Sequence, residues 1–356
     1  MSDTELDDRR GRAGRRATAG AVRRLRCLAA VLSGALVLAG CADAPVPADP
    51  PPLPPPAEPA VSPPPAVPPA GQVVPVGALA EGAVADSETG LVAVGVRDPN
   101  ALALVDGRTG EVRTKTPLPG HLRHLQLAGP GGPVLVPAEN SDSLVTVDLP
   151  SGQVGGQVPT GVFPHDATRS GNGLLFAANE FGGTVAAVRD GAVVQTFTGQ
   201  TQPGGLAAVG DLVGVVDVRQ NDLSVYDAQR LERIAQLPAG AGPTHVLADR
   251  RGQYAVADTR GDAIIVYASA PQVREVGRLD LPGSPYGITY DPVRDRMWVT
   301  LTGQNEVVGL DLATSPPTIT ARIPTVRQPN TVAVDSGTGR LFVTGTTEGV
   351  LQLIDP

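Results

Sequence analysis

The stretch AGPTHVLADRRGQYAVADTRGDAIIVYASAPQVREVGRLDLP, residues 241–282, is the unit from which most of the chain is built. It reads as four short strands, HVLA, QYAVAD, AIIVY and REVGRLDL, rich in Val, Ile, Leu and Tyr. Arg251-Gly252 and Arg260-Gly261-Asp262 supply tight turns between them. A sheet of about 41 residues cannot cover both of its faces alone, so it implies copies of itself stacked alongside.

Aligned on the inner strand of each unit, the chain contains seven copies. The equivalent positions are Gly82, His124, His165, Gly205, His245, Gly287 and Thr331, spaced 42, 41, 40, 40, 42 and 44 residues apart. Seven copies at that period predict an all-β fold, a seven-bladed β-propeller of four-stranded blades, over residues 72–356. The seventh unit stops after its third strand. The segment Gln72-Val73-Val74-Pro75-Val76 is left over ahead of the first unit. Placed as the missing outer strand of the last blade, it closes the ring and removes an open sheet edge. Pro75 suits that place, because the outermost strand of a blade tolerates a missing N–H.

Two units resemble a known family. GSPYGITYDPVRDRMWVTLTGQNEVVGLDL (residues 283–312) and RQPNTVAVDSGTGRLFVTGTTEGVLQLID (residues 327–355) are similar to the YVTN repeats of bacterial and archaeal surface propellers. The resemblance covers roughly residues 72–356 and is looser in units one, two and four, where the Pro-x-x start and the Asp-Gly turn are degraded. It implies a seven-bladed ring outside the cytoplasm. It implies no reaction, since such members share a scaffold and not a chemistry.

Residues 1–40 read as an export signal: a polar stretch ending in Arg23-Arg24-Leu25-Arg26, then an apolar run from Cys27 to Gly40, too short to span a bilayer as a helix. Leu38-Ala39-Gly40-Cys41 resembles the lipobox of bacterial lipoproteins, which implies cleavage before Cys41 and a diacylglyceryl group on its thiol. Cys27 and Cys41 are the two cysteines of the chain. The mature protein then has no thiol for a disulfide and depends on its core and ring closure. Residues 41–71 are Pro-rich and predict a semi-rigid polyproline spacer from lipidated Cys41. The expected location is the extracytoplasmic face of the cell membrane. Beyond Gly40 the chain carries 20 basic and 32 acidic groups, which argues against nucleic acid as a partner.

In such a ring, the loops entering the inner strands and those joining the second and third strands share one face, the default ligand site. The residues predicted there are His124, His165, His245, Glu139, Asn179, Glu180, Asp217, Asp258, Arg260 and Tyr286. Three histidines occupy one repeat position, which has three readings. They bond the backbone of a neighbouring blade, they touch an organic ligand directly, or His124, His165 and His245 hold a divalent metal with nearby carboxylates. Against the metal, imidazoles spread around a ring are expected to stand too far apart to share one ion. His165 and Asp166 are neighbours on a strand and are expected to point to opposite faces. No nucleophile elbow, phosphate loop or dinucleotide fingerprint is present. Asp106, Asp148, Asp227, Asp311 and Asp355 end third strands and are expected to cap the following turns. The reading is a monomeric binding or scaffold module for a protein, peptide or cell-wall glycan, with no cofactor. The alternative is a metal-dependent lyase or lactonase.

Overall fold

The computed structural model describes residues 53–356. The export signal, Cys41 and the first part of the spacer lie outside them. The described strands form seven four-stranded antiparallel sheets arranged as blades of a β-propeller, with almost no helix. Six sheets run in simple chain order from inner to outer strand. The seventh is built from both ends: Gln72–Pro75 pairs antiparallel with Val350–Ile354, in the register Gln72↔Leu353 to Pro75↔Val350. Pro75 stands on the outer edge of that sheet, where its missing N–H costs no ladder bond.

The core lies between blades. Val216, Leu223 and Val225 of the fourth blade pack with Tyr254, Val256, Ile265 and Tyr267 of the fifth. Two fully buried tyrosines of that layer are satisfied across the joint: Tyr254 Oη donates to Leu212 O at 2.9 Å and Tyr267 Oη to Pro238 O at 2.7 Å. The same kind of cluster joins last blade to first, with Phe342, Leu351 and Leu353 against Val94, Ala103 and Val105. Val76, directly after the closing strand, is 1% exposed within it.

Five inner strands open with proline: Pro164–Arg169, Pro203–Val209, Pro243–Ala248, Pro285–Asp291 and Pro329–Val334. Each shows a register shift just after that proline. Pro has no N–H to keep the ladder regular, and a bulge re-aims the following side chains. Blade two has no such proline, and its inner strand shrinks to Gln126–Leu127.

The described part of the spacer lies against the ring, a placement that composition alone does not predict. It crosses blades five, six and seven: Pro55 O accepts from Arg260 Nη2 at 2.5 Å, Pro63 O from Asn305 Nδ2 at 2.9 Å, and Ser62 O from Arg327 at 3.2 Å. Prolines supply carbonyl acceptors and no donors, so a face rich in guanidinium and amide N–H groups captures them. Two of the expected turn aspartates also behave differently. Asp106, Asp227 and Asp311 accept from backbone N–H groups two or three residues on. Asp355 instead pairs with Arg340, and Asp148 bonds its turn through its backbone, its N–H donating to Gln153 O and its carbonyl accepting from Gly152 N.

Candidate functional site

The ring places all ten predicted residues on or just below one face, and their partners sort them by task. Asp217 is spent on architecture: one oxygen accepts from the N–H groups of Thr201 and Gln202, the other from Arg219 and Gln220. It ties the loop entering its blade to the turn between strands two and three. Asp258 does the same in the next blade, accepting from Ala241, Gly242 and Gly261. Gly240, at φ +108°, lies so close to that carboxylate that a Cβ would collide with it. Asn179 donates to Thr160 O and Thr184 Oγ1, both at 3.0 Å, again bracing a loop. Arg260 holds the spacer.

Glu139, His165 and Glu180 come together. Blade two has a single 3-10 turn, Glu139–Ser141, where the other blades have plain turns, and it presents Glu139 wholly buried. His165 Nδ1 lies 3.0 Å from Glu139 Oε1 and 3.3 Å from Glu180 Oε2. His121 Nε2 contacts the other Glu139 oxygen, and Arg123 Nε stands 3.5 Å from Oε1. Gln202 Nε2 donates to Glu180 Oε1 at 2.8 Å. Glu180 Oε2 and Arg123 Nε are buried and take no hydrogen bond. Burial pulls the His165 pKa down, but Glu180 and Glu139 outweigh it and the net displacement is upward. The pair of carboxylates therefore favours the protonated form of His165 and faces the Arg123 guanidinium.

The other two histidines form a layer beneath. The His124 ring centroid is 4.4 Å from that of His165 and 4.5 Å from that of His245, and the Tyr286 ring stands edge-on to His245 at 4.5 Å. The expectation that these imidazoles are far apart is corrected: bulged inner strands carry His165 and His245, the segment ahead of Gln126–Leu127 carries His124, and the three rings meet. Only His165 joins the carboxylates. Burial and the neighbouring imidazoles hold His124 well below its ordinary pKa, and burial, then His165, holds His245 at about 3. Burial pushes the Tyr286 hydroxyl up. Below this layer a channel of about 480 Å³ runs along the inner strands, ending near Arg169, Tyr290 and Ser336 at the opposite face. Ala, Val and Leu make up about half of its lining residues. Asp166 points into it rather than towards His165, accepting from Gln126 Nε2, Ala167 N and Leu206 N, and burial raises its pKa to about 6.

These shifts fix a pH response. The unfolded chain protonates a histidine near pH 6.5, whereas folded His245 stays neutral to about pH 3. Stability from that site is present above pH 6.5 and is lost as pH falls towards 3; His124 acts in the same direction. His165, with its raised pKa, opposes this, gaining stability as pH falls. At about pH 4.5 the loss attributable to His245 is ~3 kcal/mol. Urea midpoints measured from pH 7 to 4.5 are expected to fall less steeply in His245→Phe than in the parent chain. Equal slopes would contradict the buried neutral imidazole.

Sequence reasoning missed the rim of blade three. Phe181 is 61% exposed and stacks on Phe163 at 4.3 Å between ring centroids, with exposed Val162 beside them. With only 3% aromatics in the chain, two phenylalanines in the loops of one blade were the available signal. His121 was the other omission; it reaches Glu139 and stands edge-on to Phe163 at 5.7 Å.

No family model matches the chain, and comparison with curated proteins also found no match. Solved structures do match. A chain of the Kuenenia stuttgartiensis hydrazine synthase superposes with a TM-score of 0.67 at 16% identity, covering 78% of this chain and 95% of that one. Virginiamycin B lyase from Staphylococcus aureus gives 0.65 at 14%, covering 80% and 98%. A chain of a mitotic checkpoint complex gives 0.69 at 14%, covering 80% and 93%. At these identities the likeness is one of fold. Propellers similar to this one include an enzyme and a component of a protein assembly.

Proposed function

We propose that the chain is a lipid-anchored, extracytoplasmic binding module that takes a protein, peptide or cell-wall glycan on the face bearing Glu139, His165 and Glu180. The observation that carries the reading is the charged cluster on that face. Arg123 and Glu139 of blade two, His165 and Glu180 of blade three and Gln202 of blade four meet there, and Glu180 Oε2 and Arg123 Nε are held only by ion-pair contacts, to His165 Nδ1 at 3.3 Å and to Glu139 Oε1 at 3.5 Å. The Arg123 side chain, 32% exposed, offers a ligand its outer guanidinium N–H groups. The exposed Phe163–Phe181 stack at the edge offers an apolar anchor of the kind that dominates protein and peptide recognition, and stacks equally well on a sugar face. The anchor rests on Leu38-Ala39-Gly40-Cys41 and the apolar run before it. Among the described residues no helix is long and apolar enough to cross a membrane. We place the folded part as a monomer held to the membrane through Cys41, with no nucleic-acid partner and no resident cofactor.

A second reading has one specific observation behind it. Glu139, His165 and Glu180 each offer a ligand atom, and these lie within 4.8 Å of one another, one imidazole nitrogen and two carboxylate oxygens. Three such ligands with open positions describe a catalytic divalent site, and a lyase or lactonase chemistry would use it. Arg123 and His121 at the same carboxylate weigh against a cation there. Elemental analysis and melting of the purified chain with and without added zinc, manganese or magnesium separate the two. The binding module predicts no stoichiometric metal and no change in the melting midpoint. A bound metal lost on His165→Ala would favour the enzyme. Palmitate labelling that disappears in Cys41→Ala tests the anchor in the same preparation.

A further inference from the structure

The spacer crosses the half of the face that lies away from the phenylalanine pair, and the side chains beneath it read it residue by residue. Gln328 uses both ends of its amide: Oε1 accepts from Ser62 N at 2.9 Å and Nε2 donates to Ala60 O at 2.8 Å. Thr302 Oγ1 accepts from Ala60 N at 2.9 Å. Ser62 is 1% exposed; its hydroxyl donates to Thr302 O at 2.5 Å and accepts from Gln328 N at 3.1 Å. Arg260, Asn305 and Arg327 donate to the carbonyls of Pro55, Pro63 and Ser62. Ala57 is buried where Gly242 leaves room for it.

Two features of this seat are chemical and not accidental. A proline-rich chain carries acceptors at every residue and few donors, and the groove supplies mainly donors. At the two positions where the strap does have backbone N–H groups in contact, Ala60 and Ser62, the groove supplies acceptors, Thr302 Oγ1 and Gln328 Oε1. One small hydroxyl residue, Ser62, fills a closed socket.

We propose that the loops of blades five to seven form a binding groove for an extended proline-rich peptide with a small hydroxyl residue near its C-terminal end, and that residues 55–63 of this chain fill it in cis. Only residues 64–71 separate the strap from the closing strand. So short a leash gives an effective concentration on the order of millimolar or above. A peptide in trans is therefore held off while the strap is seated, and the groove becomes available when the strap is drawn out. The groove shares its face with the Glu139–His165–Glu180 cluster but none of its residues, so the inference does not depend on what that cluster binds.

The test uses the whole chain with residues 55–63 replaced by a Gly-Ser segment of equal length, and a fluorescent peptide of residues 53–65 as probe. Saturable binding to the replaced chain is expected. Binding to the native chain should be at least about tenfold weaker, because the tethered strap competes. Gln328→Ala in the replaced chain, or Ser62→Ala in the peptide, should each weaken binding about tenfold, the loss of two buried hydrogen bonds. Equal or absent binding to replaced and native chains, or indifference to Gln328→Ala, would overturn the proposal. Should the replaced chain fail to fold, hydrogen exchange on the native chain decides. Protected amides at Ala60 and Ser62, independent of protein concentration, support the cis strap; exchange at free-peptide rates, or protection that grows with concentration, overturns it.

Discussion

Deleting residues 72–76 is expected to lower the thermal midpoint by roughly 10 °C or more, the largest effect available from so short a segment. The deletion removes the four paired positions from Gln72↔Leu353 to Pro75↔Val350 and bares the edge of Val350–Ile354. It also strips Val76 from the cluster that joins blade seven to blade one, against which Val74 packs. A buried Val contributes about 1.5–3 kcal/mol and each net hydrogen bond about 0.5–1.5 kcal/mol, so the total is on the order of 5 kcal/mol. The new edge should also promote association between copies, read as a concentration-dependent rise in light scattering. An unchanged midpoint would mean that the ring does not depend on its closing strand.

Glu139→Ala carries the second large effect, about 3–5 kcal/mol of lost stability. Glu139 is wholly buried and is approached by His121, His165 and Arg123. Removing it leaves His165 with one carboxylate, Glu180, and takes from His121 and Arg123 the carboxylate they face. Glu139→Gln keeps the shape and an acceptor, and should cost clearly less. Equilibrium urea unfolding of the parent and both variants, with unchanged m-values, gives the comparison. If Glu139→Ala unfolded at the parent's midpoint, the three-residue cluster would not be the electrostatic centre of the face.

Most of the ring was legible because each blade repeats the same physical problem. Turns such as Arg251-Gly252 and strands such as QYAVAD recur at one period, and residues 72–76 match the strand that the last blade lacks. The position of His165 and His245 at the mouth followed from the same alignment. Their mutual distance did not, because it depends on bulges after Pro164 and Pro243 and on how far the inner strands converge. Asp217 and Asp258 sit where a ligand contact was expected, yet their oxygens are consumed by loop N–H groups. A repeat alignment gives a side chain's place on the face but not its partners. The strap was illegible for a different reason. A proline-rich composition describes a chain with no stripe to pack, and only the donors of Arg260, Asn305, Arg327 and Gln328, scattered over about 70 residues of sequence, turn it into a seated segment.

The claim on which the functional reading stands is that ligand is held over the Glu139–His165–Glu180 cluster and the Phe163–Phe181 rim. The direct measurement is binding of the whole chain to a panel of envelope peptides and cell-wall glycan fragments, compared among Phe181→Ala, Glu180→Gln and Arg169→Ala. Phe181 and Glu180 lie at the mouth, and Arg169 at the far end of the channel. The account predicts a ligand whose affinity falls about tenfold or more in each of the first two variants and is unchanged in the third. A ligand that ignores the mouth variants and is lost in Arg169→Ala, or a panel in which nothing binds, would contradict it.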